Sequence, residues 1–243
     1  MMRAQTINKY FKKLNKDIRG GAITIFLLLL IPVLLFIFIS RIEETRVLRA
    51  TNVTLENAVE EAARYGAMMI DPESQAMGKP LIAYNKAIEM LREQLKVSLG
   101  LDDNFKGDDT TSLDNAEYQG IIYNGVDGIE GYKYEDYFNK YYGDDNKIAY
   151  MVYFSNNGLN IIEESGLNLE EFNPRTFYVN DDGITEYYTD GSIKVTMDAP
   201  GVLLHVKATV NPVIVNQEEG DYKETVARWA YAKIVKREEE EEP

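Results

Sequence analysis

The sequence has no cysteine, one histidine (His205), one tryptophan (Trp229) and seven prolines. Without cysteine there is neither a disulfide nor a thiol nucleophile, so any folded part of the chain must be held by burial alone. A single histidine excludes a zinc site built on several imidazoles. Also missing are a Gly-x-Ser-x-Gly nucleophile turn, a phosphate-binding loop and a dinucleotide fingerprint. Basic residues are outnumbered, 26 against 40 acids for a net charge of −14, which argues against nucleic acid because phosphate neutralisation needs a basic surface. What the chain does have is 45% hydrophobic residues and seventeen tyrosines, enough for one packed core in 243 residues and too little length for two after an anchor is set aside.

The longest stretch without charge organises the rest. Residues 23–39 are seventeen in a row with no ionisable side chain. At ~1.5 Å per residue they reach roughly 25 Å, the short end of what crosses a membrane, with Ala22 and Ser40 extending the stretch on either side. A helix with no polar face has nowhere in a small domain to bury every side. Arg3, Lys9, Lys12, Lys13, Lys16 and Arg19 precede it, and Asp17 is the only one of the 40 acids that does. Positive flanks stay inside, so the expectation is a cytoplasmic N-terminus and an acidic domain on the other side of the membrane. Ser40 is followed by Arg41, Ile42, Glu43 and Glu44, not by a small-x-small cleavage site, which favours a retained anchor over a removed signal.

Taken in order, residues 1–21 form a basic cytoplasmic arm. It is either a short amphipathic helix carrying Ile7, Phe11, Leu14 and Ile18 or an unstructured leader, with Gly20 and Gly21 expected to interrupt any helix. The transmembrane helix covers 22–40, with Pro32 as a kink. An extended helix covers 41–70, where Leu48, Leu55, Ala62 and Met69 recur every seven residues with Thr51, Ala58 and Tyr65 between them. Its small residues suit packing on the protein's own sheet, with Leu55, Ala58, Ala62, Tyr65 and Gly66 as the packing positions; a self-associating coiled coil is the alternative. Asp71 and Pro72 end that helix.

Residues 71–237 read as an extracytoplasmic α+β domain. A helix follows Pro80 and closes at Gly100, and 101–115 reads as a polar loop. Strands are expected at 120–123, 147–154, 175–179, 184–189, 192–198, 202–215 and 225–236. Asp190-Gly191 is the strongest hairpin signal and Asp181-Asp182-Gly183 a looser turn. The 202–215 strand alternates with one apolar face, His205 on a solvated face, and Pro212 marking an edge or bulge. Trp229 is a sheet-packing residue. The tail, 238–243, is acidic and expected to be disordered.

No chemistry stands out. Asp102, Asn104, Gly107 and Asp108 resemble a calcium loop in spacing, but Lys106 sits at a ligand position and Leu113 where a bidentate glutamate is needed. Asp144-Asp145-Asn146 and Asn180-Asp181-Asp182 are turn sequences. The expectation is no metal, no cofactor and no catalysis.

One resemblance does stand out. Gly21-Ala22-Ile23-Thr24 opening an apolar span, Pro32 as the eleventh residue after Gly21, and a helix ending Leu55-Glu56-Asn57-Ala58-Val59-Glu60-Glu61-Ala62-Ala63-Arg64-Tyr65-Gly66-Ala67 resemble the TadE/TadG-like pseudopilins of tight-adherence, type IVb pili. The likeness covers about fifty residues. It implies a fold with a long N-terminal transmembrane helix continuing into a pilin-like extracytoplasmic α+β domain with a mainly antiparallel β-sheet. It also implies a minor pseudopilin or assembly role, membrane lipid and other pilins or pilus-assembly membrane proteins as partners, and homo- or hetero-oligomers through the span. Gly20, Gly21, Ala22 and Phe26 are then the candidate recognition positions for a prepilin-type peptidase. The family's processed members carry glutamate at the fifth position after the cleavage glycine; this chain has Phe26, so Gly21-Ala22 is expected to stay mostly uncut. The alternative is a single-pass extracytoplasmic binding or sensor module.

Overall fold

The computed structural model describes residues 2–76, 78, 80–108, 111–125, 148–162, 172–211 and 224–234, with side chains from Ile25 onward. The chain divides into two compact units, one containing residues 1–47 and the other starting at Leu48. It is an α+β protein: a long N-terminal helix followed by a domain in which every described strand pair is antiparallel.

Helix α1 (Met2–Ala67) runs 66 residues through Gly20, Gly21 and Pro32. The two glycines therefore do not interrupt it. Each costs about 1 kcal/mol relative to alanine, too little to break a helix extended on both sides. The helix stops at Ala67, short of the expected Ile70, and Ile70 instead forms a β-bridge with Ile82. Asp71 and Pro72 act as a start as much as a stop. Asp71 Oδ2 accepts the Ser74 N–H at 2.8 Å, capping a five-residue helix α2 (Pro72–Ala76) with proline in its first position. Ser74 Oγ then accepts the Leu81 N–H at 3.0 Å, tying the returning strand to the cap.

Helix α3 (Tyr84–Leu99) begins three residues later than its apolar pattern suggests, because Leu81, Ile82 and Ala83 are buried in extended backbone. Its inward face is Tyr84, Ala87, Leu91, Leu95 and Leu99, and Gly100 closes it in the left-handed conformation (φ 65°, ψ 47°). Gly66 marks where α1 and α3 meet the sheet: a Cβ there would lie 3.5 Å from Leu91 Cδ1 and 3.5 Å from Val202 Cγ2.

The larger sheet orders β1 (Leu113–Tyr123), β2 (Met151–Ser155), β3 (Gly158–Ile162), β7 (Gly201–Val210) and β8 (Glu224–Lys233) as β3-β2-β1-β7-β8. Strand β1 starts inside the expected loop, and β3 was not expected at all. The smaller sheet orders β4 (Arg175–Asn180), β5 (Gly183–Thr185) and β6 (Ile193–Met197) as β5-β4-β6.

One expectation fails here for a topological reason. Strand β4 lies between β5 and β6, so those two are not partners and Asp190-Gly191 is not their hairpin; the hairpin is the turn at Asp181-Asp182, where Asn180 faces Gly183. Asp190-Gly191 closes a local turn instead, with Ser192 N–H donating to the Thr189 carbonyl at 3.0 Å. The segment before it crosses β4 on the outside, where the Tyr188 ring meets Tyr178 edge-on at 5.8 Å.

Strand β7 is interior, with both faces covered, so it is neither an edge nor one-sided. Pro212 lies outside the described residues; the irregularity found is a register shift on β1 between Leu113 and Asn115. Val202 faces α1 and α3, whereas Leu203 joins Ile121, Tyr123, Phe177, Val179 and Met197 in a cluster between the two sheets. Trp229 packs half-buried against that cluster. The turns at Asp144-Asp145-Asn146 and the acidic tail lie outside the described residues.

Candidate functional site

Three features carry functional information, and each is built from a different property of the chain. The first is the apolar part of α1. From Ile25 to Ile39 the side chains are exposed nearly all round, Phe26 by 62%, and none of this stretch is buried by the rest of the chain. It is the one helix among the described residues long and apolar enough to cross a membrane. Water is a poor solvent for such a surface, and a hydrocarbon layer is a good one. Gly20, Gly21 and Ala22 lie on the helical backbone just before it, and Pro32 lies within it.

The second is the stripe on the later part of α1. Leu55 and Ala62 are fully buried, Ala58 is nearly so, and Gly66 packs against α3 and β7. Tyr65 falls on the other side and is 42% exposed. Heptad spacing put Tyr65 with the stripe, but the buried set follows Thr51, Leu55, Ala58, Ala62 and Gly66, a three-to-four spacing that leaves Tyr65 outside. Thr51 ends the stripe with a 2.9 Å hydrogen bond to Ser112.

The third feature is a polar cleft of about 740 Å³ at one end of the larger sheet, which nothing in the sequence reading singled out. Its walls come from the α3–β1 loop, the first half of β1, the β2–β3 turn and the β4–β5 tip. Each wall is fixed locally. Asp102 Oδ1 accepts the N–H groups of Asn104 and Lys106, both at 2.8 Å, shaping the loop. This turn places buried Phe105 at φ 59°, a left-handed backbone that costs a non-glycine residue on the order of 1 kcal/mol and is offset by burial against Tyr118 at 4.8 Å. The Arg92 guanidinium covers the Phe105 ring from 5.7 Å. Asn156 stands in for a missing strand: its Oδ1 accepts the Tyr118 N–H at 2.5 Å and its Nδ2 donates to the Ala116 carbonyl at 3.3 Å, closing β1 beyond the end of β2.

The β4–β5 tip seats on the sheet over His205. Gln119 Nε2 donates to the Asp182 carbonyl at 3.2 Å and Lys207 Nζ lies 3.5 Å from Asp182 Oδ1. Only glycine fits at position 183, with φ at 139° and a Cβ that would fall 1.4 Å from Gln119 Nε2. Beneath the tip His205 is 2% exposed, and its Nε2 has no hydrogen-bond partner among the described residues. It is therefore a buried residue and not part of a solvated face. Burial holds its pKa below the ordinary imidazole value, Lys207 adds to the depression, and the Asn180 carbonyl with Asp181 and Asp182 opposes it.

A separate lock joins the two sheets. Arg175 Nη2 donates to both oxygens of Glu186, at 3.0 and 3.1 Å, and the Tyr153 hydroxyl donates to the same carboxylate. These bonds lower the Glu186 pKa, and burial with the carboxylate raises that of Tyr153. Among the described residues no three histidine, aspartate or glutamate side chains converge as a metal would require.

Two of the cleft's turns carry a sequence signal, the first being Asp181-Asp182-Gly183 at the β4–β5 tip. The second is Asn156-Asn157-Gly158, whose first two residues turn between paired Ser155 and Gly158 at the β2–β3 hairpin. No family model, curated protein or solved structure matches the chain.

Proposed function

We propose that this chain is a single-pass membrane protein with a cytoplasmic N-terminus and an extracytoplasmic C-terminal domain, acting as a minor pseudopilin or pilus-assembly component. It works by association of its helix and its domain with other pilins or assembly proteins in the membrane, and it does so without catalysis. The observation that carries the reading is the division of labour along α1. Its apolar part buries nothing within the chain, and its small-residue part is buried in the domain. That combination, together with the Gly21–Pro32 spacing and the Asn57-Ala58 helix, is what the resemblance to TadE/TadG-like pseudopilins asks for.

Phe26 decides the fate of the N-terminus. Cleavage after Gly21 creates an ammonium at Ala22, and a charge within an apolar assembly costs several kcal/mol unless it is paired. Phe26 offers no partner. The arm therefore stays attached, and the subunit anchors or primes an assembly and is not its repeating unit.

The test is twofold, on protein taken from its native membrane. Mass spectrometry is expected to find the intact arm; a mature chain starting at Ala22 contradicts the charge-pairing argument. Photo-crosslinkers placed at Leu28 and Leu35 are expected to capture pilus-assembly proteins; adducts with lipid alone contradict the assembly role and leave a plain anchor.

A further inference from the structure

From the walls of the polar cleft we infer that it binds a neutral, hydroxyl-rich ligand of the oligosaccharide class. This inference stands whether the domain assembles into a pilus or acts alone, since every residue it uses lies in the folded domain.

Size admits such a ligand. A cleft of about 740 Å³ falls within the range of small-molecule sites, roughly 300 to 1,000 Å³. Charge then narrows the class. Arg92, Lys106 and Lys207 are balanced in the walls by Asp103, Glu117 and Asp182, an even count in a chain of net charge −14. Lys207 already faces Asp182 at 3.5 Å, and Asp103 already accepts from Lys96 at 2.8 Å. Such a surface offers no surplus of either sign to an anion or a cation.

The remaining groups are mostly amides. Asn104, Asn115 and Asn157 face the cleft with side-chain amides that make no hydrogen bond among the described residues, and Gln119 uses one amide hydrogen on Asp182. An amide presents a donor and an acceptor side by side, matching a sugar hydroxyl, which is both. Stacking is not available to help: Phe105 and Tyr118 are buried and present no open ring face. A ligand that needs an aromatic platform, such as a nucleobase, is disfavoured on that ground.

His205 points the same way. A ring nitrogen buried without a partner is costly, and buried polar groups in native proteins are almost always satisfied. His205 is among the residues that line the cleft, and its Nε2 is covered at the foot of the β4–β5 tip. A ligand hydroxyl at the tip completes its bonding by way of a bridging water.

The chain provides its own reporter, because His205 is the only histidine. The experiment uses the full chain in lipid nanodiscs with isotope-labelled histidine, so that one imidazole is observed by NMR. Chitotriose and cellotriose, both uncharged, are titrated in. The expected result is a saturable shift of the His205 ring signals with a Kd on the order of 1 mM, as suits hydrogen bonding without stacking. Replacing two exposed amides together (Asn104→Ala with Asn157→Ala) weakens it about tenfold or more. Asn115→Ala alone is the second variant, and an unchanged ligand-free His205 signal verifies the fold of each. No shift with either sugar up to about 50 mM overturns the proposal. So does a shift of equal affinity in the folded variants, and so does tighter binding of the fully deacetylated, cationic trimer than of chitotriose.

Discussion

Protonating His205 places a charge in a space closed by the β4–β5 tip, with Lys207 on the same strand and Gln119 and Trp229 on the neighbouring ones. Its pKa in the folded state is depressed, so the neutral form is the one folding favours. The stability this contributes is complete above the unfolded imidazole value of about 6.5 and is lost as pH falls through the lower folded value. Asp181 and Asp182 moderate the loss without removing it, because burial is the largest cause of the shift. The melting temperature of the native chain is therefore expected to fall more steeply below about pH 6.5 than that of His205→Gln; parallel pH curves contradict the reading. Gly183→Ala unseats the tip from Gln119 and admits water, and is expected to raise the His205 titration midpoint toward its ordinary value. An unmoved midpoint in a folded Gly183→Ala protein contradicts the placement of the tip.

At the scale of elements, α1 and α3 are held by shape. Leu91 is fully buried where α3 faces Gly66, so Leu91→Ala leaves a cavity and is expected to cost about 2–5 kcal/mol in denaturant unfolding. Gly66 discriminates better. A methyl there meets its neighbours at ordinary contact distances of 3.5 to 3.6 Å, so Gly66→Ala is expected to be neutral or to stabilise by up to about 1 kcal/mol through helix propensity. Gly66→Leu overfills the same space and is expected to cost about 1–3 kcal/mol. If both variants behave alike, the helices do not meet at Gly66.

The elements also show what the sequence makes legible. Local signals were readable wherever one chain segment decides the outcome: the left-handed Gly100 closing α3, the apolar run of α1, and the β-rich texture after residue 118. Outcomes set by distant partners were not. Asp190-Gly191 has the better hairpin chemistry, but β4 inserts between β5 and β6 and gives the hairpin to Asp181-Asp182. His205 alternates with apolar neighbours as a half-exposed residue does, and it is the second sheet, from residues on the far side of a turn, that covers it. The cleft assembles residues from Arg92 to Lys207, so its turns can be read singly while their convergence leaves no mark in the spacing along the chain.

For the whole molecule, acidic charge and apolar surface are sorted along the chain in a way a bilayer uses. Six basic residues precede the apolar stretch, and all acids but Asp17 follow it. Among the described residues no three acidic side chains converge as calcium ligands would. Calcium is accordingly expected to leave the melting temperature unchanged; a rise that saturates at micromolar concentration contradicts this.

The measurement that tests the proposal of an anchored, outward-facing domain most directly uses the absence of cysteine, which makes any introduced thiol unique. Cysteines are placed singly at Lys9, ahead of the apolar stretch, and at Asp190, exposed on the turn after β5. Intact cells are then treated with a membrane-impermeant thiol reagent. Lys9→Cys is expected to react only after the cells are opened, and Asp190→Cys to react at once. Labelling of Lys9→Cys on intact cells, or protection of Asp190→Cys until lysis, contradicts the orientation on which the proposed function depends.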